Sequence, residues 1–213
     1  DGEPIGALAV FFPEARGPCD DELAVFASCV DLCAIAMRRH ERALERERRA
    51  SVDALTALPN RAAFNIALKS LACDDPGSWG LFVVDLDNLK IVNDTFGHRA
   101  GDGLLQTASA RIAAAVSPDV TFRLGGDEFA VVIRRPEALA DLDETAHRIL
   151  EALRAPADCD GNAIVPSGTI GGAVVSTGDE SAEAVYKNAD FALYHAKETG
   201  RGGFVRFWPG IDT

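Results

Sequence analysis

The chain has 213 residues, 47% of them hydrophobic and 25% charged, which is enough for one domain of ordinary size plus a further piece, or for two small domains. Lys plus Arg number 21 against 33 Asp plus Glu, a net charge of −12, and that excludes the basic surface on which non-specific DNA, RNA or anionic-membrane binding depends. It does not exclude a nucleotide, because a bound divalent cation inverts the local sign. No run of about 18 apolar residues spans a bilayer, and no basic segment followed by an apolar stretch opens the chain. The first residue is Asp1 rather than Met, so a fragment of a longer protein is expected. The five cysteines, an odd number, include no C-x-x-C pair. This argues against a disulfide framework or a structural zinc site and for a reducing, cytoplasmic setting.

In chain order, Ile5–Phe12 reads as a buried strand and Pro13–Asp20 as a loop. Asp20 and Asp21 suit a helix N-terminus, and no Pro or Gly interrupts the chain from there to about Ala54. The first half of this long helix is apolar and the second, Arg38–Arg49, almost wholly charged. Val30, Cys33, Met37 and Leu44 fit a broken heptad, which leaves a coiled coil and a solvated connecting helix both open.

From Asp53 helices and strands alternate. Helices are expected over Arg61–Leu71, Leu104–Val116, Glu137–Leu153 and Glu183–Thr199, the last stopped by Gly200. Strands are expected over Gly80–Asp85, Thr121–Leu124, Phe129–Ile133 and Phe204–Trp208, with one or two more inside Ile164–Val175. Gly125-Gly126 between two apolar runs marks a hairpin. The pattern is α+β, or mixed α/β, with helices packed on a central sheet that contains at least one antiparallel hairpin.

Two acidic pairs stand out. Asp85 and Asp87 close an apolar strand, and Asp127 and Glu128 sit on the hairpin tip. If the strand and the hairpin neighbour each other, the pairs meet and offer oxygen ligands to a hard cation. Two ordinary acidic turns would look the same. Lys197 and Arg201, four apart near a helix end, also fit plain helix-dipole complements.

Four blocks narrow the reading: DALTALPNR at Asp53–Arg61, DLDNLKIVNDTFGHRAGD at Asp85–Asp102, RLGGDEF at Arg123–Phe129 and ADFALYHAKETGRG at Ala189–Gly202. In this order and spacing they resemble the GGDEF domain, the catalytic domain of diguanylate cyclases. The resemblance implies a palm-like fold akin to nucleotide polymerases and cyclases, with a central mostly antiparallel sheet flanked by helices. The long N-terminal helix precedes it.

The reaction implied is the condensation of two GTP into cyclic di-GMP and two pyrophosphates across a homodimer, with two Mg²⁺ or Mn²⁺ ions per active site. Asp85, Asp127 and the carbonyl of Leu86 would hold the metals, and Glu128 would serve the same site. Asp127 would help to deprotonate the 3′-OH. Gly125 and Gly126 would let a nucleotide lie against the hairpin backbone. Asn93 and Asp102 match positions that read guanine, and Asp at the second favours GTP over ATP. Lys90, Lys197 and Arg201 match positions near the phosphates. Asn88 and Leu89 replace a pair of Phe frequent in the family, at the ribose or phosphate side.

The family's inhibitory product site begins with Arg where this chain has Val116 (V-S-P-D, Val116–Asp119), so feedback inhibition is expected to be lost. The N-terminal stretch resembles the closing strand and last helix of a GAF domain. The expected organisation is a GAF-like remnant over 1–37, a helical signalling linker over 38–52, the GGDEF domain over 53–208 and a tail over 209–213. A GTP-binding module without turnover, a cyclic di-GMP receptor and a cyclase of another dinucleotide are the competing expectations.

Overall fold

The computed structural model describes residues 7, 9–13, 15–71, 75–176 and 181–211, except for the side chains of 41–49 and 136. The chain divides into two compact units, Asp1–Ala50 and Ser51–Thr213.

The first unit is dominated by α1, Asp20–Arg49. Its start is capped by Glu22, whose carboxylate accepts from the Cys19 N–H at 2.9 Å and from Arg16 at 2.7 and 2.8 Å. The hydrogen bond from Arg16 and that from Cys19 hold Glu22 down to about 2. Leu23, Val25, Val30, Leu32, Ile35 and Met37 are exposed along this helix. The expected strand at 5–12 falls partly outside the described residues. Ala7 and Ala9–Phe12 are described and are not strand, and Phe11 is 90% exposed. A strand needs a neighbour to take its ladder hydrogen bonds. Among the described residues of this unit there is no other strand.

The second unit is built on a five-stranded sheet. The strands are β1 Gly80–Leu86, β2 Val120–Gly125, β3 Glu128–Ile133, β6 Gly168–Val174 and β7 Phe204–Arg206. β1 lies between β3 and β6, antiparallel to both, and β2 pairs antiparallel with β3; β7 alone runs parallel, beside β6. A mostly antiparallel sheet with helices on both faces is the expected class. Every residue of β1 is buried, and that explains why its apolar run does not alternate.

The two faces separate by parity. Phe82, Val84 and Leu86 pack with α4 (His98–Val116) and α6 (Leu142–Leu153). Leu81 and Val83 pack with α2 (Arg61–Lys69) and α7 (Ala182–Thr199). Asp85 therefore belongs to the α2/α7 face.

Four expectations need correction. A helix α3, Leu89–Phe96, precedes α4, and α4 begins at His98 rather than Leu104. Gly97, at φ 87°, breaks the helical path between them. The single helix expected over 137–153 is two, α5 (Pro136–Ala140) and α6, because Asp141 leaves helical geometry and its carboxylate caps the Glu144 N–H at 2.9 Å. A separate two-stranded sheet, β4 (Ala157–Cys159) with β5 (Asn162–Ile164), was not expected, and it takes Ile164 away from β6. The closing strand stops at Arg206, two residues short of Trp208.

Candidate active site

The acids meet because the strand and the hairpin are neighbours in one sheet. Asp85 of β1 lies opposite Glu128 of β3 on one side and Thr169 of β6 on the other. Directly opposed residues share a face, so Glu128 and Thr169 point to the α2/α7 side as Asp85 does. The Leu86 N–H donates to the Asp127 carbonyl at 3.0 Å, which draws the hairpin tip against the end of β1. The tip can turn because Gly126 takes φ 54°, a left-handed conformation costly for other residues.

The helix α7 brings cations to the same end of β1. The Lys197 ammonium lies 2.7 Å from Asp85 Oδ2, whose side chain is 10% exposed. Arg201 follows the Gly200 cap, with its N–H donating to the Ala196 carbonyl at 3.1 Å, so the chain folds back and puts Arg201 Nη1 3.6 Å from Asp87 Oδ1. Burial raises the Asp85 carboxyl above its ordinary value, against the opposing pull of Lys197 and with a further push from Asp127 and Asp87.

A second set of cations ties down the hairpin. Arg61, at the start of α2, donates to the Leu124 carbonyl at 2.6 Å and approaches Glu128 Oε2 at 3.3 Å. The α2 start itself is fixed by Asn60, whose Oδ1 accepts from Ala62 and Ala63. Arg123 donates to the Gly126 carbonyl at 2.8 Å and to Asp53 Oδ1 at 2.9 Å. Asp53 also accepts from the Thr56 N–H and hydroxyl. Burial pushes the Asp53 carboxyl up, but the hydrogen bonds from Thr56 and Arg123 outweigh it and hold the group below its ordinary value.

A carboxyl with a lowered folded pKa adds stability that is complete above the unfolded pKa and is lost as pH falls through the folded one. Asp53→Asn is therefore expected to cost about 1 kcal/mol of unfolding free energy at pH 7. The gap to the unsubstituted protein should narrow below the ordinary value of 3.8. Urea midpoints of the two proteins at neutral and acid pH measure this.

Of the remaining candidates, Asn88 carries a left-handed φ of 65° directly before α3, which Asn tolerates. Leu89 is half-buried and packs between two parts of the core. Lys90 is exposed on the first turn of α3. Asn93 and Asp102 come from α3 and the first turns of α4, joined at Gly97. Gly101 makes room for Asn93, because a Cβ there would lie 1.9 Å from Asn93 Oδ1. Val116 is fully buried, and Asp119 is paired with Arg135 at 2.7 Å.

Sequence reasoning grouped Asp87 with Asp85 as an oxygen ligand for a hard cation and missed its partners Ser167 and Thr169. The signal present was only that Asp87 falls two residues after Asp85, just past the end of the strand.

The donor set suits a hard cation. Asp85, the Leu86 carbonyl and Asp127 are all oxygen donors, and Asp85 already holds a cationic group at 2.7 Å. Among the described residues no three His, Cys, Asp or Glu side chains gather into a closed cage. Mg²⁺ is commonly held by one or two carboxylates while waters and substrate phosphates complete its shell, so this open arrangement fits it.

Comparison with known proteins agrees with this geometry. The family model described as diguanylate cyclase, GGDEF domain matches residues 50–203. An uncharacterized signaling protein of Caulobacter vibrioides is 39% identical over 201 residues, covering 91% of this chain and 25% of that protein. The cyclic di-GMP phosphodiesterase PdeR of Escherichia coli is 39% identical over 165 residues, 76% of this chain and 25% of its own length. The diguanylate cyclase TpbB of Pseudomonas aeruginosa is 36% identical over 155 residues, 70% of this chain and 36% of its own. The solved GGDEF domain of TpbB superposes with a TM-score of 0.68 at 35% identity, covering 74% of this chain and 94% of that one. The chain thus spans only about a quarter to a third of these relatives.

Proposed function

Because this chain belongs to the GGDEF family of diguanylate cyclase domains, we propose that it condenses two GTP into cyclic di-GMP and two pyrophosphates. The observation that carries the reading is the convergence of Asp85, Glu128 and the Asp127 backbone at the end of the central strand, faced by Lys197. In each step the 3′-oxygen of one ribose forms a bond to the α-phosphorus of the other GTP. The bond from that phosphorus to the oxygen bridging to the β-phosphate breaks, and pyrophosphate leaves with the electron pair.

Asp85, Asp127 and the Leu86 carbonyl would hold two Mg²⁺ or Mn²⁺ ions, with Glu128 at the same site. When bound, such ions neutralise phosphate charge and acidify the attacking hydroxyl. Asp127 takes up the 3′-OH proton. Gly125 and Gly126 leave the hairpin backbone open to the nucleotide. Asp102 accepts from the guanine N1–H and N2–H₂, and Asn93 donates and accepts at the same base. Asn88 and Leu89 border the ribose and phosphates. Lys197 and Arg201 hold the β- and γ-phosphates, with Lys90 near the phosphates, so Lys197 exchanges Asp85 for phosphate when substrate enters.

One protomer holds one GTP, so two must face each other in a homodimer. The exposed apolar side chains of α1 support a helix-mediated pairing. Residues 1–37 are read as a GAF-like remnant, 38–52 as a signalling linker, 53–208 as the catalytic domain and 209–213 as a tail, in a cytoplasmic protein. No helix among the described residues is long and apolar enough to cross a membrane. Product feedback is read as lost: the Val116 side chain is buried, and Asp119 is already engaged by Arg135 and by the Arg134 N–H.

Incubation with GTP and Mg²⁺, followed by chromatography, is expected to yield cyclic di-GMP and pyrophosphate at an initial rate that added cyclic di-GMP leaves unchanged. GTP binding without product, even after forced dimerisation by a fused coiled coil, would identify a nucleotide-binding module instead.

A further inference from the structure

Asp87 does something different from Asp85. Its side chain is 4% exposed. A buried carboxylate is costly unless it is paired and hydrogen-bonded, and here both oxygens are taken. Oδ2 accepts from the Ser167 hydroxyl at 2.9 Å, and Oδ1 accepts from the Thr169 hydroxyl at 2.9 Å and faces Arg201. The Asp87 N–H donates to the Ser167 carbonyl at 2.9 Å, so backbone and side chain are both locked to β6 and the residue before it.

Thr169 extends this into the turn that carries Arg201. Its hydroxyl oxygen accepts from the Gly202 N–H at 2.9 Å while its proton goes to Asp87. Donor, hydroxyl and carboxylate form a chain in which each bond polarises the next. The turn itself is strained: Arg201 stands at φ 50°, a left-handed conformation uncommon for a residue with a side chain. Such a conformation persists only where its surroundings over-determine it, and it clusters at sites of function.

The Arg201 side chain is 56% exposed and its contact with Asp87 is long, at 3.6 Å. A loosely paired guanidinium keeps donors of its fork available for a phosphate. We propose that Asp87 is the positioning residue that aims Arg201 at the terminal phosphates of the nucleotide, held for that task by Ser167 and Thr169, and that it is not a metal ligand. The inference rests on the reading of this site as a GTP site.

The test is calorimetric binding, with Mg²⁺ and the full chain, of 3′-deoxy-GTP, which has no nucleophile, and of GMP, which has no β- or γ-phosphate. Asp87→Asn and Thr169→Val are each expected to weaken 3′-deoxy-GTP about tenfold, the scale of one charge-assisted contact, and to leave GMP unchanged. Thr169→Ser, which keeps the hydroxyl, is expected to restore the affinity. Combined with Arg201→Ala, Asp87→Asn should cost nothing further. Equal losses for the two nucleotides, or additive losses in the double variant, would overturn the proposal. If Asp87→Asn does not fold, Thr169→Val decides by the same comparison. Absence of binding of either nucleotide by the unsubstituted chain would overturn the GTP reading and this proposal with it. Normal binding without the discrimination would overturn the positioning role alone.

Discussion

Asp85→Asn is expected to lower cyclic di-GMP formation by about a hundred- to a thousandfold, the several kcal/mol that metal-assisted charge stabilisation contributes to such a step. The fold should not suffer. The Asp85 carboxyl is raised by burial, with Lys197 offsetting only part of that push. An acid with a raised folded pKa opposes folding when ionised, so at pH 7 the neutral amide removes an unfavourable contribution. The shape is kept, and the amide oxygen still accepts from Lys197. The variant should therefore melt at or above the temperature of the unsubstituted protein while losing turnover, a separation of stability from activity common at functional sites. Product formation by chromatography and a thermal melt at pH 7 measure the two sides. Turnover at the normal rate would remove Asp85 from the metal site.

Gly171→Ala should have the largest effect on stability. Gly171 sits in β6 opposite Val83 of β1, where α7 crosses the sheet. A Cβ there would lie 2.1 Å from the Leu193 nitrogen and 2.2 Å from the Ala189 carbonyl oxygen, both backbone atoms of α7. Backbone cannot rotate away as a side chain can, so the whole helix must shift. Overpacking of well-filled cores costs about 1–3 kcal/mol and occasionally more, and this position belongs at the upper end.

Gly172→Ala is a built-in control. Its Cβ would meet the rings of Phe204, at 2.7 Å, and Phe82, at 2.9 Å, which are side chains able to yield. A smaller loss is expected there. Urea unfolding of both variants checks the order, and equal or reversed losses would show that α7 is not held as tightly as the contact implies. Because α7 carries Lys197, the Gly171 variant that does fold should also lose affinity for nucleotide.

Much of this site was legible in the chain itself. The apolar run ending in Asp85, the double glycine before Asp127 and Glu128, and the helix ending at Gly200 each announce their element within a few residues. Their signals are local: hydrophobic run length, turn chemistry and helix capping. The family blocks then assigned roles to Asn93, Asp102, Lys90, Lys197 and Arg201 that spacing alone did not supply. Legibility failed where local signals were weak or shared. The start of α4 is polar and contains two glycines among its first six residues, so its first turns read as loop. The helix interruption at Asp141 looked like continuous helix because the residues on both sides favour helix. The apolar run at 5–12 satisfied every local rule for a strand, yet its described residues have none of the pairing that a strand requires.

The chain's local signals were enough for α2, β1, the β2–β3 hairpin and α7, for the two acidic pairs and for the cations at the end of α7, because each depends on chain neighbours. Which acid meets which cation depends on contacts between elements far apart in the chain. Asp85 pairs with Lys197, Asp87 with Arg201, and Asp53 with Arg123, 70 residues away. Asp87 is divided from Thr169 by 82 residues. Two carboxylates of identical type, two positions apart, thereby acquire different work: one open to a cation, the other closed by two hydroxyls. That difference arises from which strands flank β1 and how α7 crosses them, and strand pairing over such separations is set by the packing of the whole sheet rather than by any local preference.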